Sequence, residues 1–492
     1  MLRKVSRQGA VVLISRAAAV LLGIGSTVLL SRLLGPVGLG KFRLGSVLVQ
    51  LVTGFCLIGL DRALMRYLPL LEARGIGGSR KLVLRTGALV LTISLALFAA
   101  LQFAAPLLAN FYFRSPDMTN VIRAFSYQIP VFALFRFLAG AVTAAKRADV
   151  ASRITNIFSP GIFLFLLAIG GIIYTSVYGA IAMRIFSQFA AVLWLIVFLV
   201  RRLPQTALSG SVGDDTFRKC LLLSLPLFLI GFGYQLLNQM DTIMLGHFVS
   251  EKEVGIYSVA FKVSSFVLIG TEILLPIAAP LFSHFYETRD SHLTAELFAT
   301  VTKWLCYFAL AAFAGIAIFR TELLDVFGRG FSAGGIVLLI LGAGQLANAA
   351  TGPTGVLLTM TGKQKWELAN TISMVAFNFV LNLVLIPRLG KAGAAIATAV
   401  SIAAINGIKL SQVYILFGLR PYNLKYLKGL IAIGSAAAAG YLIRNWLGNA
   451  GYGPYILVAL GGIAFLITIT AGFWLLGLDE EDRVAIAALR KR

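Results

Sequence analysis

Long apolar stretches of about 20 residues recur along nearly the whole chain, with only short loops between them. A stretch of that length crosses the hydrocarbon core of a bilayer as a helix, because there every backbone N–H and C=O must be satisfied within the segment. Mean hydropathy is +0.88, and only 13% of residues are charged. Such a chain has no surface to offer to water. The pattern implies an all-α, polytopic membrane protein with about 14 spans. The expected spans are 8–33, 42–60, 84–107, 120–143, 151–172, 178–200, 219–243, 255–280, 297–319, 334–359, 367–387, 392–417, 427–443 and 454–477.

A net charge of +23 would point to nucleic acid in a soluble protein. Here the cations sit at span ends and in alternate loops, so no nucleic-acid partner is expected. One set of loops carries more than twice the Lys and Arg of the other, including Arg62, Arg66, Arg80 and Lys81, then Arg201, Arg202 and Arg218. The positive-inside bias places that set, and both termini, in the cytoplasm, with the chain in the cell membrane. The N-terminal stretch reads as an uncleaved first span. Asp61 beside Arg62 reads as an interfacial pair.

An internal repeat organises the spans. Gly40 after the first span matches Gly255 after the seventh, 215 residues on. Asn156 matches Asn370, and Gly179-Ala180 matches Gly393-Ala394, each 214 residues on. Three matches in order at nearly one offset indicate duplication of six spans. An even repeat enters the membrane twice in the same direction, so its pseudo-twofold axis lies along the membrane normal. The expected organisation is an N-terminal six-helix bundle over 1–202, a cytoplasmic linker over 203–216 and a C-terminal six-helix bundle over 217–420. Two additional helices and a cytoplasmic tail fill 421–492.

Enzyme chemistry is disfavoured. Cys56, Cys220 and Cys306 lie in apolar segments, and His247, His284 and His292 are scattered. Neither set forms a metal-ligand or catalytic pattern, so no metal, cofactor or catalytic residue is expected. The segment from Gly35 to Gly40 is a turn between spans rather than a phosphate loop. The informative residues are polar ones inside spans: Arg16, Arg43, Arg136, Arg184, Lys262, Lys303 and Lys409. A cation at the centre of a membrane helix costs about 2.5–3.5 kcal/mol or more, so it faces a cavity or a partner, or snorkels to the interface. Snorkelling or a structural pair suits Arg184, Lys303 and Lys409, whereas a cavity suits Arg16 and Arg136. Gln235, Asn238 and Asp241 trace a polar stripe on the seventh span. Asp241 is a candidate either for ion coupling or for an ion pair with Lys262. Intramembrane cations outnumber anions, so the cavity suits an anionic group held by charge-assisted hydrogen bonds.

Several segments resemble a known family. Ser31-Arg32-Leu33-Leu34-Gly35-Pro36-Val37-Gly38-Leu39-Gly40-Lys41-Phe42 resembles the first external loop of oligosaccharide-lipid flippases. Leu64-Met65-Arg66-Tyr67-Leu68-Pro69 is similar to their segment after the second span. So are Asp241 to Gly246 with Val254 to Ala260, and Gly393 to Thr398, to later parts of that family. The resemblance places the chain in the multidrug/oligosaccharidyl-lipid/polysaccharide exporter superfamily, near its polysaccharide transporter branch. It implies two six-helix bundles around a cavity lined by spans 1, 2, 7 and 8. The implied activity is alternating-access transfer of an undecaprenyl-diphosphate-linked oligosaccharide from the inner to the outer leaflet. The alternatives of the same fold are a lipid II flippase and a cation-coupled multidrug antiporter. The implied partners are the lipid-linked oligosaccharide diphosphate, membrane lipids, a coupling H+ or Na+, and polysaccharide polymerase and glycosyltransferases. Substrate-binding candidates are Arg16, Arg43, Arg136, Lys262, Gln235 and Asn238, with Asp241 for coupling or pairing.

Overall fold

The chain is all-helical in a computed structural model that describes residues 2–73, 79–173, 175–202, 214–422 and 426–476. Among the described residues 12 helices are long and apolar enough to cross a membrane, or 13 when the bent pair Met118–Ser126 and Gln128–Ala144 counts as one span. The expected fourteen exceed the thirteen by one because spans 1 and 2 are counted together as the stretch Ile14–Leu71, of 58 residues. At about 1.5 Å per residue that is about 87 Å, against a hydrocarbon core of about 30 Å, so it holds more than one crossing. Two helices meet within it at Gly35 (φ 64°, ψ −178°), a conformation that glycine reaches without a Cβ penalty, and a second break follows at Ile58 and Gly59 (φ 45° and 75°). The expected turn over Gly35 to Gly40 therefore shrinks to one residue, after which Pro36 reopens a helix, as proline favours at a first helical position.

Large apolar side chains face outward: Phe103 is 84% exposed and Trp474 is 82% exposed. In water these would be liabilities, whereas against lipid they are the expected outer surface. Small residues occupy the helix contacts instead, as in membrane bundles generally.

Two compact units divide the chain, Met1–Gly255 and Ile256–Arg492. The first holds α1 (Leu2–Leu57), α2 (Leu60–Ala73), α3 (Ser79–Leu107), α4 (Met118–Ser126), α5 (Gln128–Ala144), α6 (Ala148–Arg153), α7 (Ser159–Ile173), α8 (Val177–Arg202) and α9 (Asp214–Phe248). The first turn of α10 (Glu251–Ser264) completes it. Two π-helical turns, Leu108–Tyr112 and Ile154–Phe158, lie beside Pro106 and Pro160. A proline's missing N–H breaks the regular ladder and lets such a turn form. The first of these turns fastens onto α9, where His247 Nδ1 donates to the Tyr112 carbonyl at 2.7 Å. Of the expected linker, residues 203–213 lie outside the described residues, and Asp214 already begins α9. The expected tail from residue 477 also lies outside them.

The second unit continues α10 into α11 (Ile269–Glu287), α12 (Ser291–Asp325), α13 (Gly335–Ala350), α14 (Thr354–Met360), α15 (Gln364–Leu389), α16 (Lys391–Phe417), α17 (Tyr426–Asn449) and α18 (Pro454–Leu476). Helices α13 and α16 approach closely because Gly344 faces Ala399, and a Cβ there would lie 2.7 Å from the Ala399 Cα. Amide pairs join α15 to α16: Asn370 and Gln412 exchange hydrogen bonds of 2.7 and 3.0 Å. Lys409, one of the residues for which snorkelling or a pair was open, is paired with Glu367 at 2.5 Å.

Lys303, for which snorkelling or a structural pair was also open, does not snorkel: it is buried at 2% exposure. Its helix starts at Ser291, six residues before the expected span start. Lys303 therefore lies a full three turns inside α12 rather than near its end.

Helix α17 is tied to α12 by Arg444, whose Nη2 lies 2.7 Å from Glu322 Oε1, with Glu322 only 7% exposed. Breaking a buried pair by removing one partner strands the other charge, at a cost of about 3–5 kcal/mol. Arg444→Ala is therefore expected to lower the apparent melting temperature in detergent more than the double variant Glu322→Ala/Arg444→Ala. A single variant as stable as the double would show that the pair does not hold α17 in place.

Candidate anion site on helices α1 and α9

Helix α1 beyond Gly35 and helix α9 run antiparallel within the first unit, and their contacts follow one another in register. At one end the contacts pass to the first turn of α10, where a Cβ on Gly40 would lie 1.8 Å from the Glu251 carbonyl oxygen, and a Cβ on Gly255 would lie 2.0 Å from the Pro36 carbonyl oxygen. The two contacts are reciprocal, and both join residues 215 positions apart to their exchanged counterparts. Any side chain at either glycine would meet backbone. At the other end, Gly59 (φ 75°) meets Ser224 and Phe228. There Phe55 packs on Phe232, with ring centroids 4.5 Å apart.

Between these apolar ends lies a polar ladder. Arg43 Nη2 donates to Gln239 Oε1 at 3.1 Å. Gln239 Nε2 donates in turn to Gln50 Oε1 at 3.1 Å, and Gln235 Nε2 donates to the Gln50 carbonyl. Arg43 and Gln50 are two turns apart on α1, and Gln235 and Gln239 are one turn apart on α9, so each pair shares a helix face. All four side chains are half-buried. Amides fixed in this way leave the guanidinium oriented, with most of its five N–H donors uncommitted.

Arg184 of α8 joins this site. It is half-buried, its Cζ stands 5.2 Å from the centroid of the Phe163 ring, and that ring stacks on Phe42, the chain neighbour of Arg43, with centroids 6.5 Å apart. Neither arginine has an ion-pair partner among the described residues. Two unpaired like charges within spans are costly, and each gains from an anion placed between them.

The other sequence candidates fall as follows. Gln235 belongs to the ladder. Arg16 is exposed on the first half of α1. Arg136 is exposed on α5, its Cζ 6.0 Å from the centroid of Phe132 on the same helix. Asn238 is exposed and Asp241 half-buried, both on α9. Lys262 is half-buried on α10 and belongs to the second unit. Gln50, Gln239 and Arg184 are site residues that sequence did not single out. Gln50 could have been found from its spacing of seven residues from Arg43, which keeps it on one helix face.

A family model described as "Polysaccharide biosynthesis protein" matches residues 29–331, more than half of the chain. The chain belongs to this polysaccharide biosynthesis protein family. Two curated proteins of Haloferax volcanii are similar. The "Probable flippase AglR" is 28% identical over 266 residues, 51% of this chain and 52% of that protein. The "Probable low-salt glycan biosynthesis flippase Agl15" is 26% identical over 165 residues, 33% of this chain and 35% of that protein. The chain thus spans about half the length of one and about a third of the other. In fold it is similar to a lipid II flippase, MurJ, in an inward closed conformation: TM-score 0.68 at 15% identity, over 95% of this chain and 99% of that one. An inward-facing multidrug transporter of the MATE family gives a TM-score of 0.64 at 16% identity, over 82% of this chain and 98% of that one.

Proposed function

We propose that the chain is a flippase that moves an oligosaccharide linked to an isoprenoid diphosphate from the inner to the outer leaflet of the cytoplasmic membrane. Undecaprenyl diphosphate is the proposed carrier. The observation that carries the proposal is the pair of arginines without counter-ions, Arg43 and Arg184, with Arg43 oriented by Gln239. A diphosphate offers several anionic oxygens to two planar forks, and the bidentate match is specific to such groups. An organic cation would be repelled from the same place. The family and the flippase names of the two Haloferax volcanii relatives support the cargo class. Arg16, Arg136, Lys262, Gln235 and Asn238 are proposed to contact the cargo along its route, and Asp241 to serve coupling or pairing.

The reciprocal contact of Gly40 with Glu251 and of Gly255 with Pro36 supports the duplication. Equivalent residues of a twofold repeat touch each other only where the relating axis passes between them. We therefore propose two six-helix bundles, the fourteen-span organisation with both termini cytoplasmic, and alternating access.

Cells lacking the chain are expected to keep making the lipid-linked oligosaccharide and to accumulate it in the inner leaflet, with surface glycan lost. Unchanged delivery of the glycan to the outer leaflet would contradict the proposal.

A further inference from the structure

We propose that Arg62 is a second anion-binding residue, which captures the diphosphate before it reaches Arg43 and is parked on Gly231 while no cargo is bound. The inference rests on the diphosphate reading of the Arg43 site and adds an entrance to it. Arg62 lies on α2, 19 residues beyond Arg43, or roughly 28 Å at a helical rise. The positive-inside bias assigns its end of the helix to the cytoplasm.

Arg62 does not pair with Asp61, as their adjacency suggested. Its Nη1 instead reaches across to α9, 3.5 Å from the Leu227 carbonyl oxygen. That carbonyl lies one turn below Gly231, and the guanidinium rests on this glycine. A Cβ at Gly231 would lie 2.7 Å from Nη1, 2.8 Å from Cζ and 2.9 Å from Nη2. Three nearly equal distances mean that the planar group lies flat over the glycine, in a seat that any side chain would fill.

The seat holds the group in place without satisfying it. A 3.5 Å contact lies beyond the usual N–H···O range of about 2.7–3.2 Å, and it is the one hydrogen bond of Arg62 among the described residues. Four of the five guanidinium donors stay available to a ligand. The backbone beneath Arg62 is firmly anchored, since Leu60, Ala63, Leu64 and Leu68 are all buried at 0% exposure. Arg62 and Arg66, one turn apart, are exposed on the opposite face. A phosphate can therefore take Arg62 from its seat by a change of rotamer alone. Inward of Arg62, α9 makes the Gln235–Gln50 and Gln239–Arg43 contacts with α1, so both guanidinium groups lie along one face of α9 at i, i+4 spacing. A lysine would keep the charge but could not lie flat on Gly231 or grip the diphosphate with two donors.

The test is titration of the purified full-length chain in detergent with geranylgeranyl diphosphate, read by calorimetry, with geranylgeraniol as the uncharged comparison. Arg62→Ala is expected to weaken diphosphate binding about tenfold, the scale of one charge-assisted hydrogen-bonded contact. Gly231→Ala keeps every charge but fills the seat that competes with the cargo, and is expected to tighten binding several-fold by removing the parked state. In the double variant the glycine change is expected to add nothing to Arg62→Ala. The neighbouring change Gly233→Ala, where a Cβ would meet nothing within 4 Å, is expected to be neutral. Arg62→Ala within twofold of wild type would overturn the proposal, as would multiplying effects of Arg62→Ala and Gly231→Ala. If binding falls in Arg43→Ala but not in Arg62→Ala, the entrance alone is wrong. If the wild-type chain prefers geranylgeraniol or binds neither, the diphosphate reading itself fails and this proposal with it.

Discussion

Arg43→Ala is expected to cut transport of the lipid-linked oligosaccharide about a hundredfold or more. Truncating one partner of a buried, hydrogen-bonded charge contact costs about 2–5 kcal/mol, and under the proposed function the other partner is the cargo. The same change is expected to leave the chain at least as stable as before. Arg43 has a glutamine rather than a carboxylate as its partner. Its removal therefore strands no buried charge. A residue kept for packing would lower both properties together, whereas opposite signs mark a side chain kept at a cost in stability. Arg184→Ala and Arg16→Ala are expected to act in the same direction, and Arg43→Lys to retain part of the activity by keeping charge without the fork. Lys365→Ala, at an exposed position in the first turn of α15, is the near-neutral comparison. Export assays paired with thermal unfolding in detergent check both signs. An Arg43→Ala chain that unfolds earlier while exporting normally would reverse the assignment.

The second large effect is expected at the paired glycines. Valine at Gly40 or Gly255 would place a Cβ about 2 Å from a carbonyl oxygen of the facing segment. Backbone cannot swing aside as a side chain can, so the two segments must part. Closely packed membrane helices owe their association to such small-residue contacts, and overpacking costs about 1–3 kcal/mol or more. Either valine variant is expected to lose export and to melt several degrees lower. Gly233→Val offers the contrast, since a Cβ there meets open space. Equal behaviour of all three variants would mean that the reciprocal contact does not hold these segments together.

The features legible in the sequence are those the bilayer imposes. Each span must satisfy its own backbone and present apolar side chains to lipid, so length and hydropathy report spans directly. The first and second spans run together in hydropathy because one glycine, Gly35, is the whole interruption between their two helices. Positions along a helix were legible as well: Arg43 was placed within a span, and Gln235 on the polar face of another. Neighbours across helices were not. Nothing in the spacing of Gln50 says that it meets Gln239, 189 residues away in the chain, and nothing near Arg184 says that it joins Arg43. For Lys303 snorkelling and pairing stayed open together for a simpler reason: a polar start hid the first six residues of α12, so a deeply buried lysine resembled one near the interface. Arg62 was read as one more loop cation because its seat, a glycine on a distant helix, carries no side chain to signal it.

The most direct measurement uses the purified chain in proteoliposomes carrying a fluorescent oligosaccharide on a polyprenyl diphosphate in both leaflets, with an impermeant quencher added outside. The wild-type chain is expected to bring the protected inner-leaflet fraction out to the quencher. The Arg43→Ala chain is expected to leave that fraction at the level of protein-free vesicles. Wild-type vesicles that protect as much lipid as empty ones, or that move a lipid with a cationic head group equally fast, would contradict the account.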